Sequence, residues 1–136
     1  MIKIPIFRVA KEVKALDINK TRLYYEQLRE ADLCDCEYCK NYIHEIKGTY
    51  PKLSEYLQSL GVDVEMPFET MPLEPDEDGN IEYLMVQYLV CGNAGDFVDK
   101  VIDEVTIDIS ESHPSSKLEE EHFIIDIYPI KLKWVI

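Results

Sequence analysis

Three cysteines fall within six residues of this chain, in the segment Cys34-Asp-Cys36-Glu-Tyr-Cys39. Thiols this close together bind a metal ion, take part in thiol chemistry, or fill a small space in a core. Cys36 and Cys39 have the two-residue spacing of a zinc knuckle, and Cys34 can reach the same ion. The segment therefore predicts three of the four ligands that a zinc ion commonly takes.

The fourth ligand is less clear from the sequence. Cys91 follows a long apolar run, so it would lie at the end of a central strand, where it can approach the cluster; we take it to complete the predicted metal site. His113 and His122 are alternatives. His44 follows Cys39 by five positions, which on a helix places it about 140° away around the axis and makes it a poor partner.

Two other interpretations of the cysteines stay open. A thiol at a helix N-terminus has a lowered pKa, so Cys36 ahead of a helix suits thiol–disulfide exchange, although the neighbouring Asp35 and Glu37 oppose that effect. The charged segment before Cys34 also differs from the buried strand that precedes such a motif in thioredoxin-like folds. Alternatively, the cysteines simply pack where the chain turns into a helix.

Composition and charge limit the function classes. With 136 residues, of which 46% are hydrophobic and 30% charged, the chain fits one globular domain over residues 1–136. The net charge is −13, and residues 53–99 contain eleven Asp or Glu and no Lys or Arg. Such a field repels nucleic acid and anionic membranes but attracts a basic protein. Because no nucleophile–base pair or phosphate-binding loop is recognisable, we predict a non-enzymatic interaction or regulatory module.

The sequence also predicts a location. The chain opens Met-Ile-Lys-Ile-Pro-Ile-Phe-Arg, and charges inside this apolar run argue against a secretory signal. The longest uncharged stretch, residues 83–95, is too short to span a membrane. We therefore expect a bacterial-type cytoplasmic protein in which the cysteines are thiols or ligands.

Hydrophobic periodicity predicts an α+β domain. Apolar residues recur at helical spacing over about 37–47 and 51–60, and residues 81–91 read as a central strand buried on both faces. Residues 2–6, 62–68, 105–109, 123–127 and 131–136 look extended, residues 70–80 look like a loop, and the ambiguous residues 19–31 lean towards a strand. These elements predict a mixed or antiparallel sheet of six to seven strands, with the two-helix segment packed on it.

The pattern Cys34-x-Cys36-x-x-Cys39-x-Asn41-Tyr42, with Leu57-x-x-Leu60-Gly61 and the strand from Tyr83 to Gly92, resembles small bacterial and phage proteins without an assigned activity. The resemblance covers about residues 33–92. It implies an independent accessory domain and assigns no role to any residue.

Overall fold

The computed structural model describes residues 16–136, except for the side chains of Glu30 and Asp96. The strand predicted for residues 2–6 lies outside this range. Within it the chain forms three α-helices, two single-turn 3-10 helices (Glu30–Asp32 and Ala94–Asp96) and a six-stranded antiparallel sheet that is not closed. The predicted α+β class is confirmed.

Helix α1 (Ile18–Gln27) replaces the strand predicted over residues 19–31. Asp17 caps it, because its side chain accepts a hydrogen bond from the backbone N–H of Lys20 at 2.9 Å. Thr21 and Tyr25 are its buried residues, and they lie one helical turn apart. The strand prediction was wrong because it relied on the β-favouring composition of this segment, whereas the cap and this spacing determine the helix.

Helices α2 (Glu37–Thr49) and α3 (Pro51–Ser59) confirm the predicted two-helix segment. Tyr50 ends the first helix and precedes the second, and Pro51 occupies the first turn of α3, where no backbone N–H is required. Tyr42 and Ile46 of α2 are fully buried, as are Leu53 and Leu57 of α3. These apolar faces cover one side of the sheet.

The strands are β1 (Glu69–Pro72), β2 (Asn80–Cys91), β3 (Lys100–Ile102), β4 (Val105–Ile109), β5 (His122–Tyr128) and β6 (Ile130–Lys133). Their order is β1-β2-β5-β4-β3. Strand β2 pairs with β6 along its first part and with β5 along its second, so it is the central strand that the sequence predicts.

Two neighbouring predictions were wrong. Residues 62–68 form turns instead of a strand, because the Asp63 side chain accepts from the N–H of Glu65 and the Asp63 carbonyl from the N–H of Met66. The loop predicted from residue 70 begins later, since β1 continues to Pro72.

An extra residue in β2 reverses which side chains face the helices. Thr70 of β1 pairs with Val86, but Pro72 pairs with Tyr83, so β2 has one residue more than β1 over this stretch. Before the irregularity Ile81 and Tyr83 join the main core, and after it Val86, Tyr88 and Val90 do. Gln87, Leu89 and Cys91 therefore face the opposite side of the sheet.

Candidate metal centre

The sulfur atoms of Cys34, Cys36 and Cys39 all lie within 4.8 Å of one another. Cys34 and Cys36 are exposed, whereas Cys39 is buried. We call these three residues the cysteine cluster. They are the one group of three or more His, Cys, Asp or Glu residues in the described range 16–136 that is arranged closely enough to hold a metal ion.

The start of α2 positions the cluster. Cys36 is the N-cap of the helix, and its sulfur accepts a hydrogen bond from the backbone N–H of Cys39 at 3.5 Å. Cys39 lies one turn into the helix, and its sulfur is 3.5 Å from the hydroxyl of Thr70 on β1. The N-cap requirement and the contact with the sheet therefore fix two of the three sulfurs.

The distances suit a thiolate-bound metal. A zinc–sulfur bond is about 2.3 Å, which places sulfurs around a tetrahedral ion about 3.8 Å apart. The sulfurs of the cysteine cluster are within 4.8 Å of one another. Their separations therefore need to shorten by at most about 1 Å to reach those of a tetrahedral zinc site. These three cysteines are therefore close enough together to hold a metal ion.

The thiols of Cys36 and Cys39 differ in acidity. Partial burial raises the pKa of Cys36, but hydrogen bonds from the N–H of Cys39 and from Cys34 outweigh it, so the net pKa lies below the ordinary thiol value. Burial raises the pKa of Cys39 to about 12, and the hydrogen bond with Thr70 only partly offsets it. Of these two thiols, Cys36 therefore has the lower pKa and loses its proton first as the pH rises.

Cys91 does not join the cluster, so its predicted role as fourth ligand is not supported by the structure. Thr70 of β1 contacts Cys39 and pairs with Val86 of β2. Cys91 is five residues after Val86 on β2, which at 3.3 Å per residue places these two residues about 16 Å apart. Cys91 is 1% exposed and packs with Leu89 and Ile124 on the other face of the sheet. The packing interpretation applies to this cysteine.

The histidines lie elsewhere too. His44 contacts the carboxylate of its neighbour Glu45 at 2.7 Å. His113 and His122 lie within hydrogen-bonding distance of the backbone carbonyls of Pro114 and Glu120. None of the three belongs to the cysteine cluster.

A groove runs beside Cys36, between the start of α2 and the acidic loop that follows β1. Tyr38 and Trp134 are among its lining residues, and their ring centroids are 5.7 Å apart. Glu74 lines it from the loop, and Tyr38 donates a hydrogen bond of 2.8 Å to this carboxylate. Asp35, Glu37 and Pro75 complete the lining. Cys36 is the member of the cysteine cluster that lines the groove, so a ligand in the groove would lie beside Cys36.

A second polar cluster lies on the face of the sheet away from the helices. Asp108 of β4 pairs directly with Asp126 of β5, which is 7% exposed. Gln87 donates to Asp126 at 2.9 Å, and Tyr128 donates to Asp108. No local pattern indicates this pair, because strand register decides which carboxylates meet.

Comparisons of the chain with protein-family models, with curated proteins and with solved structures found no match to any of them. None of the described helices combines the length and the apolar character that crossing a bilayer requires.

Proposed function

We propose that this protein is a non-enzymatic binding module in which zinc, held by Cys34, Cys36 and Cys39, organises the start of α2. The single observation that carries the proposal is the convergence of three sulfurs within 4.8 Å. Thiolate sulfur is a preferred ligand of zinc, and a structural zinc ion contributes folding energy directly. We assign it a binding role, because no histidine among residues 16–136 joins the cluster to act as a base.

Hydrogen bonds around the sulfurs support this proposal. The N–H of Cys39 points at the sulfur of Cys36, and the hydroxyl of Thr70 is in reach of the sulfur of Cys39. Donors of this kind orient metal-bound thiolates and stabilise their charge. Deprotonation of the buried Cys39, whose pKa is raised, would be driven by the metal itself.

Elemental analysis of protein purified without chelator tests the proposal. We expect about one equivalent of zinc for the native chain, and a loss of most of it in Cys39→Ser. Cys91→Ala is the matched control, because it removes a buried cysteine outside the cluster and should keep the metal. Less than about a tenth of an equivalent in the native protein would reject the proposal.

A basic protein partner is the second part of the proposal. Within the described range three ion pairs form, Lys20–Glu120, His44–Glu45 and Lys47–Glu65, so most carboxylates there have no cationic partner among the described side chains. A surface of this kind attracts a basic protein and repels nucleic acid and membranes. Capture of a basic partner that weakens as salt rises would support this part; no capture at low salt would count against it.

Thiol–disulfide exchange is the competing function, and the contrast between exposed Cys36 and buried Cys39 favours it. Alkylation with iodoacetamide over a range of pH separates the two functions. A single rapidly alkylated thiol in protein shown to be free of metal, together with disulfide formation by small-molecule disulfides, would support exchange over metal binding.

A further inference from the structure

The cysteine cluster supplies only three of the four donors that zinc takes. Residues 1–15 contain no cysteine or histidine. All other such residues of the chain, Cys91, His44, His113 and His122, lie in the described range and outside the cluster. The fourth donor is therefore a carboxylate of this chain, water, or a group from another molecule.

One carboxylate of the groove is already engaged in a hydrogen bond. Glu74 lines the groove beside Cys36, but it accepts a hydrogen bond from Tyr38 at 2.8 Å, and this phenol holds it against the wall of the groove. Because Tyr38 would lose this bond if Glu74 moved to the metal, the groove is better arranged to admit an external ligand than to supply one.

The lining of the groove restricts the chemistry of that ligand. Zinc with three thiolates carries one net negative charge, and the groove adds the carboxylates of Asp35, Glu37 and Glu74. Anionic donors such as thiolates, carboxylates and phosphates would be repelled there. A neutral nitrogen donor would not be.

The aromatic side of the groove favours a flat ligand. Tyr38 and Trp134 present rings at 5.7 Å between centroids and 40° between planes. An imidazole ring can stack against such a surface while one of its nitrogens binds zinc and the other donates to a carboxylate. Imidazole is also a common partner of thiolates in zinc sites.

We propose, on the basis of the zinc function proposed above, that the fourth position of the cysteine cluster is completed by the imidazole of a histidine from a partner protein, which enters through the groove between Tyr38, Glu74 and Trp134. The partner then binds through coordination, and zinc is part of the interface. This also agrees with a basic partner, whose positive charges would meet the carboxylates at the rim.

Cobalt substitution tests this inference with imidazole as the probe. Co²⁺ bound by thiolates has visible absorption bands that respond to a change of the fourth ligand. We expect free imidazole to shift these bands saturably at millimolar concentrations in the cobalt-loaded protein. Trp134 is the only tryptophan of the chain, so its fluorescence should change over the same range. Metal-free protein should show neither effect.

Comparison ligands and variants make the test specific. Acetate and a small thiol should bind several-fold more weakly than imidazole, because the carboxylates of the groove repel anions. Glu74→Gln removes one of these carboxylates, so the difference in affinity between acetate and imidazole should become smaller. Trp134→Leu should weaken imidazole binding several-fold without changing the cobalt stoichiometry. Tyr56→Leu is the matched control: it removes an aromatic ring from a residue that does not line the groove, and it should leave imidazole binding unchanged.

The outcomes separate the two proposals. If cobalt binds with thiolate bands but imidazole leaves them unchanged, or the thiol binds better than imidazole, the inference about the fourth ligand is wrong and the metal site stands. If no thiolate–cobalt bands form at all, both the metal site and this inference are overturned.

Discussion

The phenol oxygens of Tyr42 and Tyr88 lie 2.6 Å apart in the core, where α2 crosses β2. Tyr88 donates its own proton to the carbonyl of Val64, so the proton shared by the two phenols comes from Tyr42. Both side chains are fully buried. This relay ties the helix, the central strand and the turn after α3 together through hydroxyl groups that water does not reach.

The relay predicts unequal effects of removing its two hydroxyls. Tyr88→Phe leaves both the Tyr42 hydroxyl and the Val64 carbonyl without a partner, so we expect a loss of about 2–4 kcal/mol in the free energy of unfolding. Tyr42→Phe leaves the bond to Val64 in place and should cost about 1 kcal/mol. Urea unfolding measures both. The double variant should be less destabilised than the sum of the two, and equal single effects would contradict the proton order.

Buried tyrosines predict a loss of stability in alkali. Burial raises the pKa of Tyr42, Tyr83 and Tyr88, that of Tyr83 to about 12. An unfolded tyrosine has a pKa of about 10. Below pH 10 both states keep their protons and stability is unaffected; above it only the unfolded state releases them, so stability falls as pH rises towards 12. Tyr83→Phe should make the urea midpoint fall less steeply over this range, and an unchanged slope would contradict the assignment.

Asn41 fastens the C-terminal strand to α2. Its amide donates to the carbonyl of Lys133 at 2.8 Å, and its oxygen accepts from the N–H of Val135 at 2.9 Å. Asn41→Ala should cost about 2 kcal/mol and expose the Val135 amide to hydrogen exchange. Asn19→Ala, which removes an exposed contact with Arg22, is the control and should change stability by less than about 0.5 kcal/mol.

The cross-strand pair of Asp108 and Asp126 predicts a stabilising substitution. Like charges directly opposite each other repel, and an asparagine at position 108 can still accept from Tyr128. Asp108→Asn should raise the free energy of unfolding by about 0.2–1 kcal/mol at low salt and by less at high salt. Glu82→Gln removes a carboxylate opposite Lys131 and should have the opposite sign. Destabilisation by both variants would exclude a repulsive pair.

Local patterns predicted much of this fold. The apolar spacing that buries Tyr42 and Ile46 located α2, and the long apolar run of residues 81–91 located the central strand. Composition predicted a strand where α1 forms, because the cap at Asp17 outweighs the β-favouring side chains of this segment. It also failed at residues 62–68, where Asp63 bends the chain by hydrogen bonding to its own backbone.

Only the part of the candidate site formed by residues close together in the sequence could be predicted. Three cysteines within six residues meet because a helix start brings them together, which spacing alone indicates. Whether Cys91 joins them depends on which part of β2 lies beside β1, and the register of strand pairing is a long-range property. The same holds for Asp108 and Asp126, and for the encounter of Tyr38 with Trp134. In the Asn41-Tyr42 pair that follows the cysteines, both side chains form structural hydrogen bonds.

The central strand depends on its length on each side of the irregularity between Tyr83 and Val86. Deleting Gln87, which lies beyond the irregularity, would place Tyr88 directly after Val86 and turn Tyr88 and Val90 to the face away from the helices. Such a deletion would exchange the two faces along the second half of the strand, whereas a deletion in the turn at Asp78-Gly79 would only shorten a connection. Homologous chains should therefore differ in length at that turn and keep this strand constant.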